Sequence, residues 1–246
     1  MKSFYNFILL LFCLVGFAQI KQGTITYGKL TTKEFTGDKE MKEWYLQESL
    51  KADKNDFTLN FNDNEAYFFA NPKLQSGADS SLDMATWFGG KLKYYQNEIT
   101  KEYREYIDTR RTGVVIVNNP QQQVWTLLSE SKIIDGYKVL KATSPYLYDC
   151  NKKSESIIIT AWYAPEIPIS FGPLGYGNLP GLILELQHHK ATFFVKNIKL
   201  NLDTPPLIDK LQSEKTVSCM DFTKMLMSSL NYEQLKGVEE ADAKKK

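Results

Sequence analysis

Residues 161–185 read AWYAPEIPISFGPLGYGNLPGLILE, and this segment is the most unusual one in the chain. Its two ends are apolar, whereas positions 171–181 contain four glycines and two prolines. Proline fixes its own φ and glycine accepts conformations closed to other residues, so such a segment follows one specific backbone path. We therefore expect a strand to end near Tyr163, a shaped loop to follow, and another strand to begin at Gly181. Residues 165–181 are called the Gly/Pro loop below.

Two interpretations of the Gly/Pro loop are open at this point. In the first it is a structural crossover between two strands, and in the second it is a rigid surface on which a protein partner docks. A phosphate-binding loop is disfavoured, because Pro180 occupies the place of the third glycine after Gly175 and Gly177. Both interpretations depend on the same residues, namely Gly172, Pro173, Asn178, Leu179, Pro180 and Gly181.

Outside the loop the main signal is an alternation of apolar and polar residues. Phe57, Leu59 and Phe61 alternate with polar residues, as in a strand with one buried face. The same pattern elsewhere, with short turn-rich connections, predicts roughly ten strands. Helix signals are few: one amphipathic stretch over 41–50, a shorter one over 79–88, and a capping-box pattern that starts at Ser218.

These patterns together predict a mainly β protein of the α+β type. We expect a single large curved antiparallel sheet or half-barrel with a few short helices. At the level of the fold, this plan is similar to that of periplasmic carriers of lipoproteins.

Composition limits the classes of function that the 246 residues can serve. The chain has 30 basic and 29 acidic residues, a formal charge of +1, which argues against a nucleic-acid partner. His188 and His189 are adjacent and would point to opposite sides of a strand, so we interpret them as exposed turn residues rather than metal ligands. The chain contains none of the common catalytic sequence motifs. We expect no enzymatic activity, no cofactor and no metal site.

Residues 1–18 have the form of a signal peptide. Nine apolar residues (7–15) follow a positive charge, and Gly16 and Ala18 place small side chains before a cleavage site at Gln19. As a helix this apolar run would span about 13 Å, less than the roughly 30 Å of a bilayer core, so we expect no transmembrane segment in the mature chain. We expect an exported protein, with the periplasm favoured over secretion from the cell.

The mature chain is expected to form one domain over residues 19–236, followed by a charged flexible tail over 237–246. Removal of the signal peptide takes away Cys13 and leaves Cys150 and Cys219. Two cysteines in an oxidising compartment either form a disulfide or remain buried thiols, and the sequence favours neither outcome.

The residues in and around the Gly/Pro loop resemble those of a known family, the GLPGLI family of exported bacterial proteins. The resemblance covers residues 132–200. The first glycine of the family motif is replaced by Asn178, a residue type that tolerates positive φ. The resemblance implies a fold and an exported location, and it implies no particular activity. The segments that carry it are Lys138–Thr143, Ala161–Ser170, Gly172–Pro173 and Leu179–Glu185.

The sequence supports two hypotheses about function. In the first, the curved sheet leaves an apolar concavity that holds a lipid or another acyl ligand. In the second, the protein is an accessory subunit of an envelope transport or export system and docks onto a protein partner through the Gly/Pro loop. The residues expected to line the apolar cavity of the first hypothesis are Trp162, Leu182, Leu184, Phe193 and Met225.

Overall fold

The computed structural model describes most of the expected domain. Three predictions lie outside the described residues: the signal peptide over 1–18, the helix over 79–88 and the tail over 237–246. Cys150 also lies outside them. The described residues are 20–32, 38–71, 93–109, 112–118, 123–148, 152–188, 191–213 and 215–228.

Within these ranges, twelve strands form one sheet. Across the sheet their order is β12-β6-β5-β4-β3-β2-β1-β11-β10-β9-β8-β7, so β12 and β7 are the edges of an open sheet. In chain order the strands are β1 Gly23–Thr31, β2 Phe57–Phe61, β3 Glu65–Ala70, β4 Lys93–Asn97, β5 Glu102–Thr109, β6 Gly113–Asn118, β7 Thr126–Ile134, β8 Tyr137–Tyr148, β9 Lys152–Ala164, β10 Leu182–His188, β11 Ala191–Leu200 and β12 Thr216–Ser218.

The predicted mainly β fold with one large sheet is confirmed. One detail differs, since β12 pairs with β6 in the parallel direction and the sheet is therefore mixed. β12 has only three residues, which is too short for an alternating pattern to reveal it in the sequence. The β7–β8 hairpin closes through Asp135 and Gly136, whose φ values of 49° and 82° are those of the tight turn that suits twisted antiparallel strands.

The sheet has apolar residues on both faces. The inner face carries Phe57, Leu59, Phe61 and Phe68, which are at most 1% exposed and belong to the larger core. The outer face carries a smaller cluster. It contains Tyr67, Tyr95 and Ile116 of the sheet together with Leu211. Leu211 belongs to residues 202–213, called the outer strap below, which lead from β11 towards β12.

The sheet curves until distant strands approach each other across the inner face. Seven strands separate β5 from β8 in the sheet order, and at a spacing of about 4.8 Å a flat sheet would place them about 38 Å apart. Instead, Tyr146 of β8 lies near Glu105 of β5: burial raises the pKa of Tyr146, and the charge of the Glu105 carboxylate raises it further. The Gly/Pro loop occupies part of the concavity, where Tyr103 of β5 donates a 2.8 Å hydrogen bond to the carbonyl of Leu174.

Two helices accompany the sheet in the described residues. Helix α1, Lys39–Ala52, begins at Asp38, whose carboxylate accepts a 2.8 Å hydrogen bond from the amide of Met41. Helix α2 covers 219–228, and the hydroxyl of Ser218 accepts a 3.1 Å hydrogen bond from the amide of Asp221, as the capping-box pattern predicts. Neither described helix has the length and apolar character needed to cross a bilayer.

Candidate functional site

The backbone of the Gly/Pro loop depends on residues that accept unusual conformations. Leu174 and Asn178 have φ values of 55° and 61°, in the left-handed region. Gly175 has φ of +70°, and a Cβ added there would collide with the ring of Tyr103. A Cβ at Gly181 would collide with the backbone carbonyl of Ala164. The loop can therefore lie close to β5 and β9 only because these positions hold glycine.

The signature residues of the loop divide into buried and exposed ones. Leu179 is 2% exposed and belongs to the inner core, and Pro173 and Gly172 are also buried. Asn178 and Pro180, in contrast, are exposed. The buried residues support the structural interpretation of the loop, whereas the exposed pair keeps the docking interpretation open.

One end of the inner face holds a group of aromatic side chains, called the tyrosine cleft below. The ring centroids of Tyr146 and Tyr176 lie 5.3 and 5.5 Å from that of His188. The ring centroids of Tyr94 and Tyr103 lie 6.1 Å apart. Several strands and the Gly/Pro loop contribute, so the cleft forms only after the sheet has curved. Its members are Tyr94, Tyr103, Trp125, Tyr146, Tyr176 and His188, grouped around Glu105.

Glu105 is the carboxylate of the cleft. It is half-buried on β5, directly opposite Tyr94 of β4, whose hydroxyl donates a 3.0 Å hydrogen bond to Oε1. Burial raises the pKa of Glu105, and the Tyr94 hydrogen bond offsets only part of that rise. No other described residue donates a hydrogen bond to this carboxyl group. Its second oxygen, Oε2, thus receives no hydrogen bond from the part of the chain that the structure describes.

A recess at the mouth of the cleft continues along the Gly/Pro loop. Tyr103, Tyr176, Gly177 and Asn178 form part of its wall, and its cavity volume is about 20 Å³, which holds about one water molecule. Gln123 also lines it, and both polar atoms of this side chain are buried without a hydrogen-bond partner. Buried amides in folded proteins are nearly always hydrogen-bonded, so this one is available to a bound molecule.

Of the residues predicted to line an apolar cavity, three lie inside the inner core, Trp162 borders that core, and Met225 lies on a helix. Leu182 and Leu184 are 0% exposed and Phe193 is 2% exposed, all within the inner core. Trp162 lies in register with Glu185 and has Lys132 Nζ 4.4 Å from its ring centroid, on the outer face. Met225 lies on α2, which follows β12 at the other edge of the sheet. A ligand-binding role for these five residues stays a prediction.

Sequence reasoning missed the main residues of the tyrosine cleft. The prediction of exposed turn histidines is wrong for His188, which is the last residue of β10 and is half-buried against two tyrosine rings. His189 lies outside the described residues. A signal for Glu105 existed, since Tyr103, Glu105 and Ile107 share one face of a strand and place a carboxylate between two apolar residues.

Cys219, at the start of α2, is disulfide-bonded. Its partner lies outside the described residues, so the pairing of Cys219 with Cys150 stays a prediction. Among the described side chains, no group of three or more His, Cys, Asp or Glu residues is placed to hold a metal ion.

These observations define an open-sheet β protein with a loop-filled inner face and an aromatic recess around one carboxylate. Residues 148–185, which include the whole Gly/Pro loop, match the model of a family described as "Protein of unknown function (Porph_ging)". The GLPGLI name itself is not confirmed by this match. No curated protein matches the chain.

Solved structures add a likeness of fold. The structures of PNGF-II in the C2 and P21 space groups each match with a TM-score of 0.51 and 15% identity over 85% of this chain. The match covers 33% and 34% of those chains, so this chain spans about a third of the length of PNGF-II. At this level of identity the likeness concerns the β-rich fold alone.

Proposed function

We propose that the protein is a non-enzymatic binding protein and that the tyrosine cleft is its binding site. The observation that carries this proposal is Glu105, a carboxylate with a single hydrogen-bond donor inside an aromatic recess. A half-buried carboxylate whose second oxygen receives no hydrogen bond from a described residue can still accept one from a bound molecule. The unpartnered amide of Gln123 in the adjoining recess supports the same location. We retain export to the periplasm as part of the proposal, on the basis of the signal-like residues 1–18.

The structure gives less support to an apolar ligand inside the curved sheet. The three core residues expected to touch such a ligand are in contact with protein instead: Leu182, Leu184 and Phe193 belong to one buried cluster. The Tyr27 hydroxyl also crosses the inner face to donate a 2.7 Å hydrogen bond to the carbonyl of Ile183. A lipid would have to displace these contacts, whereas a ligand in the tyrosine cleft would not.

A docking role for the Gly/Pro loop is the second candidate. Asn178 and Pro180 are exposed on either side of the buried Leu179. A partner protein, such as a component of an envelope transport system, would contact these two side chains. This role is compatible with a ligand in the cleft, because Asn178 also forms part of the recess wall.

Saturation-transfer NMR with a library of small polar and aromatic compounds tests the proposed site. We expect compounds that bind the wild-type protein to lose their signal with Tyr176→Leu and Tyr146→Leu. Trp162→Leu on the outer face is the matched control and should keep the signal. Compounds that bind all three variants equally, or that lose binding only with Trp162→Leu, would place the site elsewhere. Recovery of a bound compound in chemically altered form would contradict a non-enzymatic role.

A further inference from the structure

We infer that the tyrosine cleft binds a small organic cation, an alkylammonium or guanidinium group, with Glu105 as its counter-charge. This inference rests on the proposed function and specifies the chemical class of its ligand. Three observations carry it: the charges around Glu105, the angles between the rings, and the free acceptors in the cleft.

The groups that face Glu105 include no lysine or arginine among the described residues. The electrostatic neighbours of the carboxyl are phenols from four separate elements, Tyr94 on β4, Tyr103 on β5, Tyr146 on β8 and Tyr176 on the Gly/Pro loop. Burial raises the pKa of all four, so these phenols are neutral at physiological pH. The remaining titratable side chain of the cleft, His188, contacts two of these rings. A bound cation would supply the positive charge that Glu105 lacks.

The rings meet at steep angles instead of stacking face to face. The interplanar angle is 78° between Tyr146 and His188, 61° between Tyr176 and His188, and 48° between Tyr94 and Tyr103. Rings inclined in this way do not cover one another's faces completely, as stacked rings would. The face of an aromatic ring carries partial negative charge, and arrangements of this kind recognise ammonium groups in other proteins.

Two acceptor atoms in and beside the cleft are open to a ligand that donates hydrogen bonds, and the amide Nε2 of Gln123 is also unpartnered. Glu105 Oε2 receives no hydrogen bond from a described residue, and Gln123 Oε1 is buried without one. The N–H groups of a guanidinium or primary ammonium could donate to such acceptors. A neutral ligand would leave the carboxylate buried without a counter-charge, and an anion would be repelled by it.

Calorimetric titration with four matched probes tests the inference: butylguanidinium, butyltrimethylammonium, uncharged butylurea and butyrate. We expect either cation to bind at least about tenfold more tightly than butylurea, which has nearly the shape of butylguanidinium without its charge. Butyrate should not bind. Affinity for the cations should increase as the pH rises, because the carboxylate form of Glu105 is the form that pairs with them.

Glu105→Gln should remove the preference for cations over butylurea, and Glu65→Gln, which changes a carboxylate on the outer face, should leave it unchanged. Equal affinity for butylguanidinium and butylurea would overturn the cation inference while leaving the cleft as a binding site. Binding of neither cation to the wild-type protein would also overturn it, and the NMR library screen would then decide separately on the proposed function. Cation binding that survives Glu105→Gln unchanged would contradict the role of Glu105. A thermal melt of each variant confirms that it is folded.

Discussion

The two faces of the sheet each hold a carboxylate close to tyrosine rings, yet the two carboxylates have opposite surroundings. On the outer face, Glu65 accepts hydrogen bonds from Lys210 Nζ at 2.7 Å and from the Tyr95 hydroxyl at 2.6 Å, which lower its pKa to about 2. On the inner face, Glu105 has one donor, Tyr94, and burial raises its pKa. The first stabilises the attachment of the outer strap, whereas the second is the carboxylate that we propose pairs with a ligand.

The outer strap covers the outer face of the sheet around Glu65. Asn60 Nδ2 donates to the carbonyl of Leu207 at 2.8 Å, and Arg104 Nη1 donates to the carbonyl of Lys210 at 2.8 Å. These bonds hold the strap on the sheet while Leu211 fills the small outer core. The ion pair between Glu65 and Lys210 adds to the same attachment.

The largest expected effect comes from a charge placed in the inner core. Leu179→Asp buries a carboxylate at a position that is 2% exposed, and we expect it to destabilise the fold by about 4 kcal/mol or more. Pro180→Asp, one residue along and exposed, should change stability little. Denaturant titration of both variants measures the difference. If Leu179→Asp were as stable as the wild type, the loop would not be part of the core, and its docking interpretation would gain support.

The next largest effect is expected on the outer face. Glu65→Gln should destabilise the protein by about 1–2 kcal/mol at pH 7, after allowance for the exposed lysine partner. Because the folded-state pKa of about 2 lies below the ordinary value of 4.5, the wild-type carboxylate contributes stability above pH 4.5 and loses it as the pH falls towards 2. Glu65→Gln should lack this part of the loss of stability at low pH. Denaturant midpoints measured from pH 7 to pH 2 provide the test, with Glu130→Gln, an exposed carboxylate, as the control.

The contrast between the faces also shows what the sequence can reveal. The alternation at Phe57, Leu59 and Phe61 predicted a buried strand face, and all three residues are at most 1% exposed. A pattern of this kind describes one strand and its neighbours. It contains no information on how far twelve strands curve, and the curvature is what brings Tyr146 near Glu105. The tyrosine cleft therefore could not be assembled from sequence spacing alone.

The Gly/Pro loop was predictable in part, less than the buried strand face and more than the tyrosine cleft. Its glycines predicted a tightly specified path, and the close approach of Gly175 to Tyr103 gives the physical reason for one of them. Which surface the loop would contact was not predictable, because Tyr103 and Trp125 come from strand and loop positions far away in the chain. Side chains from these two positions donate the 2.8 Å hydrogen bonds that fasten the loop at Leu174 and Gly177.

A smaller effect is expected when one of these attachments is removed. Tyr103→Phe keeps the ring against Gly175 but leaves the carbonyl of Leu174 without its 2.8 Å hydrogen bond, which should cost about 1 kcal/mol. Tyr106→Phe, on the outer face of the same strand, is the matched control. Hydrogen exchange should show faster opening of the loop amides in Tyr103→Phe alone, for example at Asn178, which is bonded to the carbonyl of Ser170. Equal exchange in both variants would mean that the hydroxyl does not hold the loop.

The smallest expected effect is a gain in stability, and it tests the comparison between Glu65 and Glu105 most directly. Burial raises the folded-state pKa of Glu105 above the ordinary value of 4.5, so its contribution to stability is present below pH 4.5 and is lost as the pH rises through the raised pKa. Glu105→Gln removes the buried charge, and we expect it to stabilise the protein by less than about 1 kcal/mol at pH 8. The gain over wild type should disappear at pH 4. Thermal melts at both pH values measure this gain. A loss of stability at pH 8 would show that Glu105, like Glu65, stabilises the fold through its contacts, which would contradict a role in ligand binding.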